Sequence, residues 1–165
     1  MNVGDDTAMV QRRPTVSRRD SVLGLSGAVI VVAATVAAWI VPADGRVVWA
    51  GAVVAGAVGT VAAAAIHGAL VPRWEVSKPE ASSRRALSLG IIGLLTGLFF
   101  WPFGFPAAMT SGAVVLGRHG RMGARPRNRV GTAAVAVGVA GFAVVAILVL
   151  LAITGVLPDW PPDRL

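Results

Sequence analysis

Residues 86–129 read ALSLGIIGLLTGLFF (86–100), WPFGFP (101–106), AAMTSGAVVLG (107–117) and RHGRMGARPRNR (118–129). No charge interrupts 86–117, so this stretch belongs in a membrane. Pro102 and Pro106 bracket Phe103-Gly104-Phe105. A proline lacks an amide donor and its ring crowds the preceding turn, so a helix must stop or bend there. At 1.5 Å per residue the first half reaches about 22 Å and the second about 16 Å, against a hydrocarbon thickness of ~30 Å. Neither half is expected to cross comfortably alone, while one continuous helix over 86–117 would measure about 48 Å and overshoot even when tilted. Charge separates the two placements. Arg84 and Arg85 precede the stretch, and Arg118, Arg121, Arg125, Arg127 and Arg129 follow it. Basic residues flanking spans are retained on the cytoplasmic side, so both ends prefer that side. A broken helical hairpin, or two short spans, is therefore predicted, entering from the cytoplasm and turning at WPFGFP near the far face. A single kinked span, the alternative, would put five arginines outside. The carbonyls at the break then need shielding, because irregular backbone facing lipid is not tolerated.

The whole chain has the same character. Of 165 residues 55% are hydrophobic and 14% charged, and the mean hydropathy is +0.72; soluble domains carry about 25% charged residues. An all-α helical integral membrane protein is expected, with three full spans besides the broken hairpin. The net charge of +7 fits Lys and Arg held at the cytoplasmic face, and nucleic acid is not the expected partner. There are no cysteines, which removes disulfides, thiolate metal sites and a Cys nucleophile.

Five segments follow from this reading. Residues 1–20 form a cytoplasmic tail without apolar period. Residues 21–71 form a transmembrane hairpin: a span over 22–41, the turn Pro42-Ala43-Asp44-Gly45-Arg46, and a span over 47–71. Ser17-Arg18-Arg19-Asp20 before the first span resembles a twin-arginine export signal, but an apolar run of about 20 residues suits a permanent anchor better than a cleavable core of ~7 to 15. Residues 72–85 are a cytoplasmic linker and 86–157 a membrane module. Residues 158–165 are an external tail. Trp39, Trp49, Trp74 and Trp160 are expected at interfaces.

In the second span Ala52, Gly56, Thr60, Ala64 and Gly68 recur every four residues. That spacing makes one smooth ridge on a helix, suited to close packing by a neighbour, as does the Gly93–Gly97 pair. His67 is the ionisable side chain well inside a predicted span; one turn from Pro72-Arg73, it is read as a neutral imidazole reaching the interface rather than a proton relay. Gly117, Gly120 and Gly123 lack the strand and helix that a phosphate cradle requires. Arg118, Arg121, Arg125, Arg127 and Arg129 are instead expected at anionic lipid headgroups, each worth about 1 kcal/mol.

The glycine and small-residue pattern of Ala86-Leu87-Ser88-Leu89-Gly90, the central break, Gly112-Ala113-Val114-Val115-Leu116-Gly117 with its basic followers, and Gly131-Thr132-Ala133-Ala134-Val135-Ala136-Val137-Gly138 resembles a small membrane module common in actinobacterial proteins. That family is a domain of unknown function, the resemblance covers residues 86–151, and it implies no functional residue.

No paired acid and base, Ser-His-Asp set or metal cluster is legible, so no catalytic residue, cofactor or metal ligand is assigned. The expectation is a non-catalytic protein of the bacterial inner membrane, N-terminus cytoplasmic and C-terminus external. Its partners would be membrane lipids and a membrane protein or a second copy of itself. The alternative is a small channel or permease component built on the broken hairpin.

Overall fold

A computed structural model describes residues 18–40, 48–75, 78–122 and 128–157. The tails 1–17 and 158–165, Trp160, the turn 42–46, Gly123, Arg125 and Arg127 lie outside the described residues. Within them the chain is all helical: α1 (Arg18–Ile40), α2 (Trp49–Ala65), a π turn (Ile66–Leu70), α3 (Val71–Glu75), α4 (Pro79–Phe100), one 3-10 turn (Trp101–Phe103), α5 (Phe105–Met122) and α6 (Arg129–Ile153). Four stretches are long and apolar enough to cross a membrane: Arg19–Ile40, Trp49–Trp74, Glu80–Phe103 and Arg129–Ile153. The protein is a multi-pass helical membrane protein.

The two halves of the broken hairpin are longer than the sequence reading expects. Helix α3 ends at Glu75 and α4 starts at Pro79, so most of the expected linker 72–85 is helical. Proline suits a first helical turn because its missing N–H would be unpaired there, and Glu80 complements the positive helix end. Helix α5 runs on through Arg118, His119 and Arg121 to Met122. With 22 and 18 residues, the halves measure about 33 and 27 Å, so α4 exceeds the ~30 Å hydrocarbon thickness and α5 falls just short of it.

They form an antiparallel pair. A Cβ on Gly97 would lie 3.7 Å from Pro106, one on Gly93 would lie 2.8 Å from Thr110, and one on Gly90 would lie 3.3 Å from Ala113. Helix α6 lies alongside both: Gly97 also faces Val145, Gly141 faces Leu94 and Thr110, and Gly138 meets the Thr110 carbonyl. Gly93 and Gly97 thus both lie in helix contacts. The side chain of Thr110, fully buried, is wedged between glycines of α4 and α6, and its hydroxyl donates back to the Pro106 and Ala107 carbonyls at 3.0 and 3.1 Å. The α1–α2 hairpin covers the remaining side of α5. Helix α5, the least apolar long helix, is therefore the central one. In lipid, polar and small residues go inside, because every lipid-facing position prefers a large apolar side chain.

At the break, Gly104 takes the left-handed conformation (φ 71°), open to glycine without strain. Its N–H donates to the Trp101 carbonyl at 3.1 Å, and Ala107 N–H donates to the Gly104 carbonyl at 3.2 Å. The Pro102 carbonyl accepts from Trp39 Nε1 at 3.0 Å. Trp39, expected at the headgroup interface, is instead 1% exposed. A Cβ on Gly51 would overlap its ring, so the α2 backbone comes up flat against the indole. An N–H from α1 thereby satisfies irregular backbone at the turn of α4–α5.

Asn128 closes the opposite end. Its Oδ1 accepts from the backbone N–H of Val130 and Gly131 at 3.1 and 3.3 Å, capping α6. Its Nδ2 donates to Ser83 Oγ of α4 at 2.6 Å and to the Gly120 carbonyl of α5 at 3.4 Å. One side chain joins three helices, and it places the starts of α4 and α6 beside the end of α5.

Candidate polar site on the central helix

The small-residue ridge of α2 divides. Ala52 is buried and Gly56 half-buried, 3.4 Å from Val36 as measured from an added Cβ, while Thr60, Ala64 and Gly68 are exposed and Gly68 has nothing within 4 Å. The face that packs inside the molecule is Gly51, Ala52, Ala55, Gly59 and Ala63. From Thr60 onward, the four-residue ridge is thus not the intramolecular contact. A 3.6-residue period carries a contact face through steps of three and four, and a strict step of four drifts off it. Gly56, Thr60 and Ala64, with Leu25, Val29 and Val36 of α1, line an open apolar groove of about 560 Å³.

His67 stands on the π turn. In an α-helix the ring of Pro72 would press on the carbonyl of Gly68. Widening the turn over Ile66–Leu70 absorbs that conflict, and the Val71 N–H donates to the Ile66 carbonyl five residues back. His67 is directed inward rather than toward an interface: its Nε2 lies 2.9 Å from Ser111 Oγ on α5. The serine hydroxyl has one proton, and the Ala108 carbonyl lies 3.0 Å away. With that proton directed at the carbonyl, the imidazole donates from Nε2 and keeps its lone pair on Nδ1; with it directed at Nε2, the tautomer is the reverse. Nδ1 is buried without a hydrogen-bond partner in the protein, on the side where α1 offers Gly24.

One helical turn before Gly24 is Asp20, and two turns after Ser111 is Arg118. They meet: Arg118 Nη1 lies 3.1 Å from Asp20 Oδ1, with the aspartate side chain 11% exposed and the arginine 52%. Asp20, assigned from sequence to the tail, belongs to the first turn of α1, where a carboxylate is favoured by the helix dipole. Between α1, α5 and α6 the same residues border a cleft of about 330 Å³, open to the side. It is lined by the small or polar Ser111, Gly24 and Gly27, by the apolar Leu23, Val114, Val139 and Phe142, and by the charged Asp20 and Arg118.

Of the arginines expected at lipid headgroups, Arg118 is thus engaged by a carboxylate. Arg121 is half-buried, its stem 3.1 Å from the Cβ position of Gly131, and Arg129 is exposed. Arg85 lies over the Trp74 ring at 5.7 Å. Every charged residue among those described falls at one end of the bundle, where α1, α4 and α6 begin and α3 and α5 end. At that end Ser82 Oγ and His119 Nδ1 are buried without a partner. Among the described residues no three His, Asp or Glu side chains come together as a metal site.

Asp20 and Ser111 are the functional candidates that sequence reasoning missed. The available signal was their spacing, one turn from Gly24 and two turns from Arg118, which puts each pair on one helix face. No family model, curated protein or solved structure matches this chain.

Proposed function

We propose that this is a non-catalytic protein of the bacterial inner membrane that works by packing another transmembrane helix, from a second copy or a partner protein, into the groove between α1 and α2. The observation that carries the reading is the outward ridge. Gly56, Thr60 and Ala64 line an open apolar groove, and small residues let helix backbones approach closely. The charged end faces the cytoplasm in this reading, because basic residues are retained there. With five crossings the N-terminus is then cytoplasmic and the C-terminus external. Arg121 and Arg129 contact anionic headgroups, and the segment 86–151 is the actinobacterial-type module that it resembles.

The test separates association from folding. Gly59→Leu drives a side chain into Val32, whose methyls lie 2.8 and 2.9 Å from the Cβ position, and should unfold the protein. Thr60→Leu fills only the groove and should leave the fold intact while lowering association. Thr60→Cys in this cysteine-free chain should crosslink in membranes, and the mass of the product distinguishes a second copy from a partner. A folded Thr60→Leu variant with undiminished association would remove the reading.

The second reading, a small channel or permease component built on the broken hairpin, has in its favour the Asp20–Arg118 and Ser111–His67 pairs against the central helix. Ionisable groups facing a bundle interior mark conduction pathways. Saturable or selective flux in proteoliposomes would favour it.

A further inference from the structure

The cleft between α1, α5 and α6 joins an apolar slot to a pair of opposite charges. We propose that it is a lateral binding site for an aminophospholipid, with one acyl chain in the slot, the phosphate on Arg118 and the primary ammonium on Asp20. This goes beyond helix packing and does not depend on it, since the cleft lies away from the α1–α2 groove.

A volume of about 330 Å³ falls at the lower end of the ~300 to 1,000 Å³ typical of small-molecule sites. The slot opens sideways between Leu23 and Val139, which are 56% and 54% exposed and so face the hydrocarbon. What reaches an apolar slot from that direction is an acyl chain. Gly27 and Phe142 close its inner side, an added Cβ on Gly27 lying in van der Waals contact, 3.5 Å, with the Phe142 ring, so a chain enters on the Leu23 and Val139 side.

The mouth determines the headgroup. Asp20 and Arg118 lie in the first turn of α1 and the last turns of α5, at the end where the described charges gather. That is the depth at which a lipid whose chain lies in the slot carries its phosphate and amine. A guanidinium has five N–H donors in a fixed fork, and phosphate is among its preferred partners. Asp20 engages Arg118 through Nη1, which leaves donors for a phosphate on the half-exposed side. The carboxylate would repel an anionic headgroup that brings a phosphate and no cation. A headgroup carrying a primary ammonium instead presents N–H donors to Asp20 and phosphate oxygens to Arg118. A quaternary ammonium has the charge but no N–H to donate. The order of preference is therefore phosphatidylethanolamine above phosphatidylcholine and phosphatidylglycerol.

The full-length protein, purified and reconstituted in nanodiscs of equal parts of these three lipids, would be released into detergent. Native mass spectrometry then counts the lipid retained at one per protein. Phosphatidylethanolamine should exceed each competitor by about tenfold, a factor of the size that one charge-assisted hydrogen bond supplies. Asp20→Asn should abolish the preference over phosphatidylglycerol while lipid is still retained. Arg118→Gln should lower retention of all three. Gly27→Leu fills the slot, and Val139→Trp covers its lateral opening from an exposed position, so that if the first variant fails to fold the second still reports. Either should lower retained phosphatidylethanolamine severalfold at an unchanged thermal midpoint. Equal or greater retention of phosphatidylglycerol by the wild type, or undiminished phosphatidylethanolamine in a folded slot variant, would overturn the proposal.

Discussion

Replacing Trp39 by an isostere that lacks its N–H tests whether α1 stabilises the break between α4 and α5. The indole Nε1 donates to the Pro102 carbonyl at 3.0 Å, across 63 residues of chain. Pro102 and Pro106 leave this turn without a regular helical ladder, so the carbonyl has no backbone donor to fall back on. Benzothienylalanine at position 39, introduced by codon suppression, keeps the ring shape and deletes the donor. A buried group left unpaired costs about 1 to 3 kcal/mol in water-soluble proteins, whereas interhelical hydrogen bonds in membranes average about 0.6 and reach about 1.7 kcal/mol. The membrane average is low because side chains find other partners in the unfolded state. A fixed carbonyl in a proline turn does so less readily, and we expect about 1.5 kcal/mol, near the upper membrane value. Reversible unfolding in mixed micelles, followed by tryptophan fluorescence against rising dodecyl sulfate, measures it. Gly51→Ala should weaken the same bond by a different route, since its methyl overlaps the indole and must displace it. Trp49→Phe is the control: at 64% exposure it should change stability by less than about 0.5 kcal/mol. If the isostere matches wild type within that margin, the bond does not hold the turn and the reasoning fails.

Other consequences can be measured alongside. Asn128→Ala should cost about 0.5 to 2 kcal/mol for the lost cap of α6, whereas Asn128→Asp keeps the cap but loses the Nδ2 bonds to Ser83 and Gly120; equal stability of Asp and Asn variants would mean that only the cap matters. Gly138→Leu meets the Thr110 carbonyl 2.8 Å from its Cβ position and should destabilise by at least the ~1 to 3 kcal/mol of an overpacked core. Gly68→Leu, with nothing within 4 Å, should be tolerated, and similar melting of the two would refute the central packing of α5. Single cysteines at Arg84 and Arg129 should be protected together from an impermeant maleimide in intact cells, and one at Val156 labelled. Labelling of Arg84→Cys or Arg129→Cys from outside would refute the proposed orientation.

The residues themselves determined that the chain is a helical membrane protein and where its helices break. Apolar length and the chemistry of Pro102, Gly104 and Pro106 are local properties, felt before any tertiary contact forms. Helix ends were less legible. Residues 79–85 and 118–122 are polar in sequence yet helical, because Asn128 and the pairs Ser83–Asn128 and Asp20–Arg118 give these turns partners from other helices. Which helix lies at the centre was decided only in three dimensions. Hydropathy measures transfer from water to lipid, and in a bilayer that step is already complete for every span, so it no longer ranks them. What ranks them is which surface accepts a neighbour closely and pairs its polar groups. By that criterion α5, with Thr110, Ser111 and a run of alanines and glycines, goes inside although it is the least apolar. The same reason turned Trp39 inward to a carbonyl, directed His67 onto Ser111, and left Thr60 and Ala64 facing out while Gly59 and Ala63 pack within.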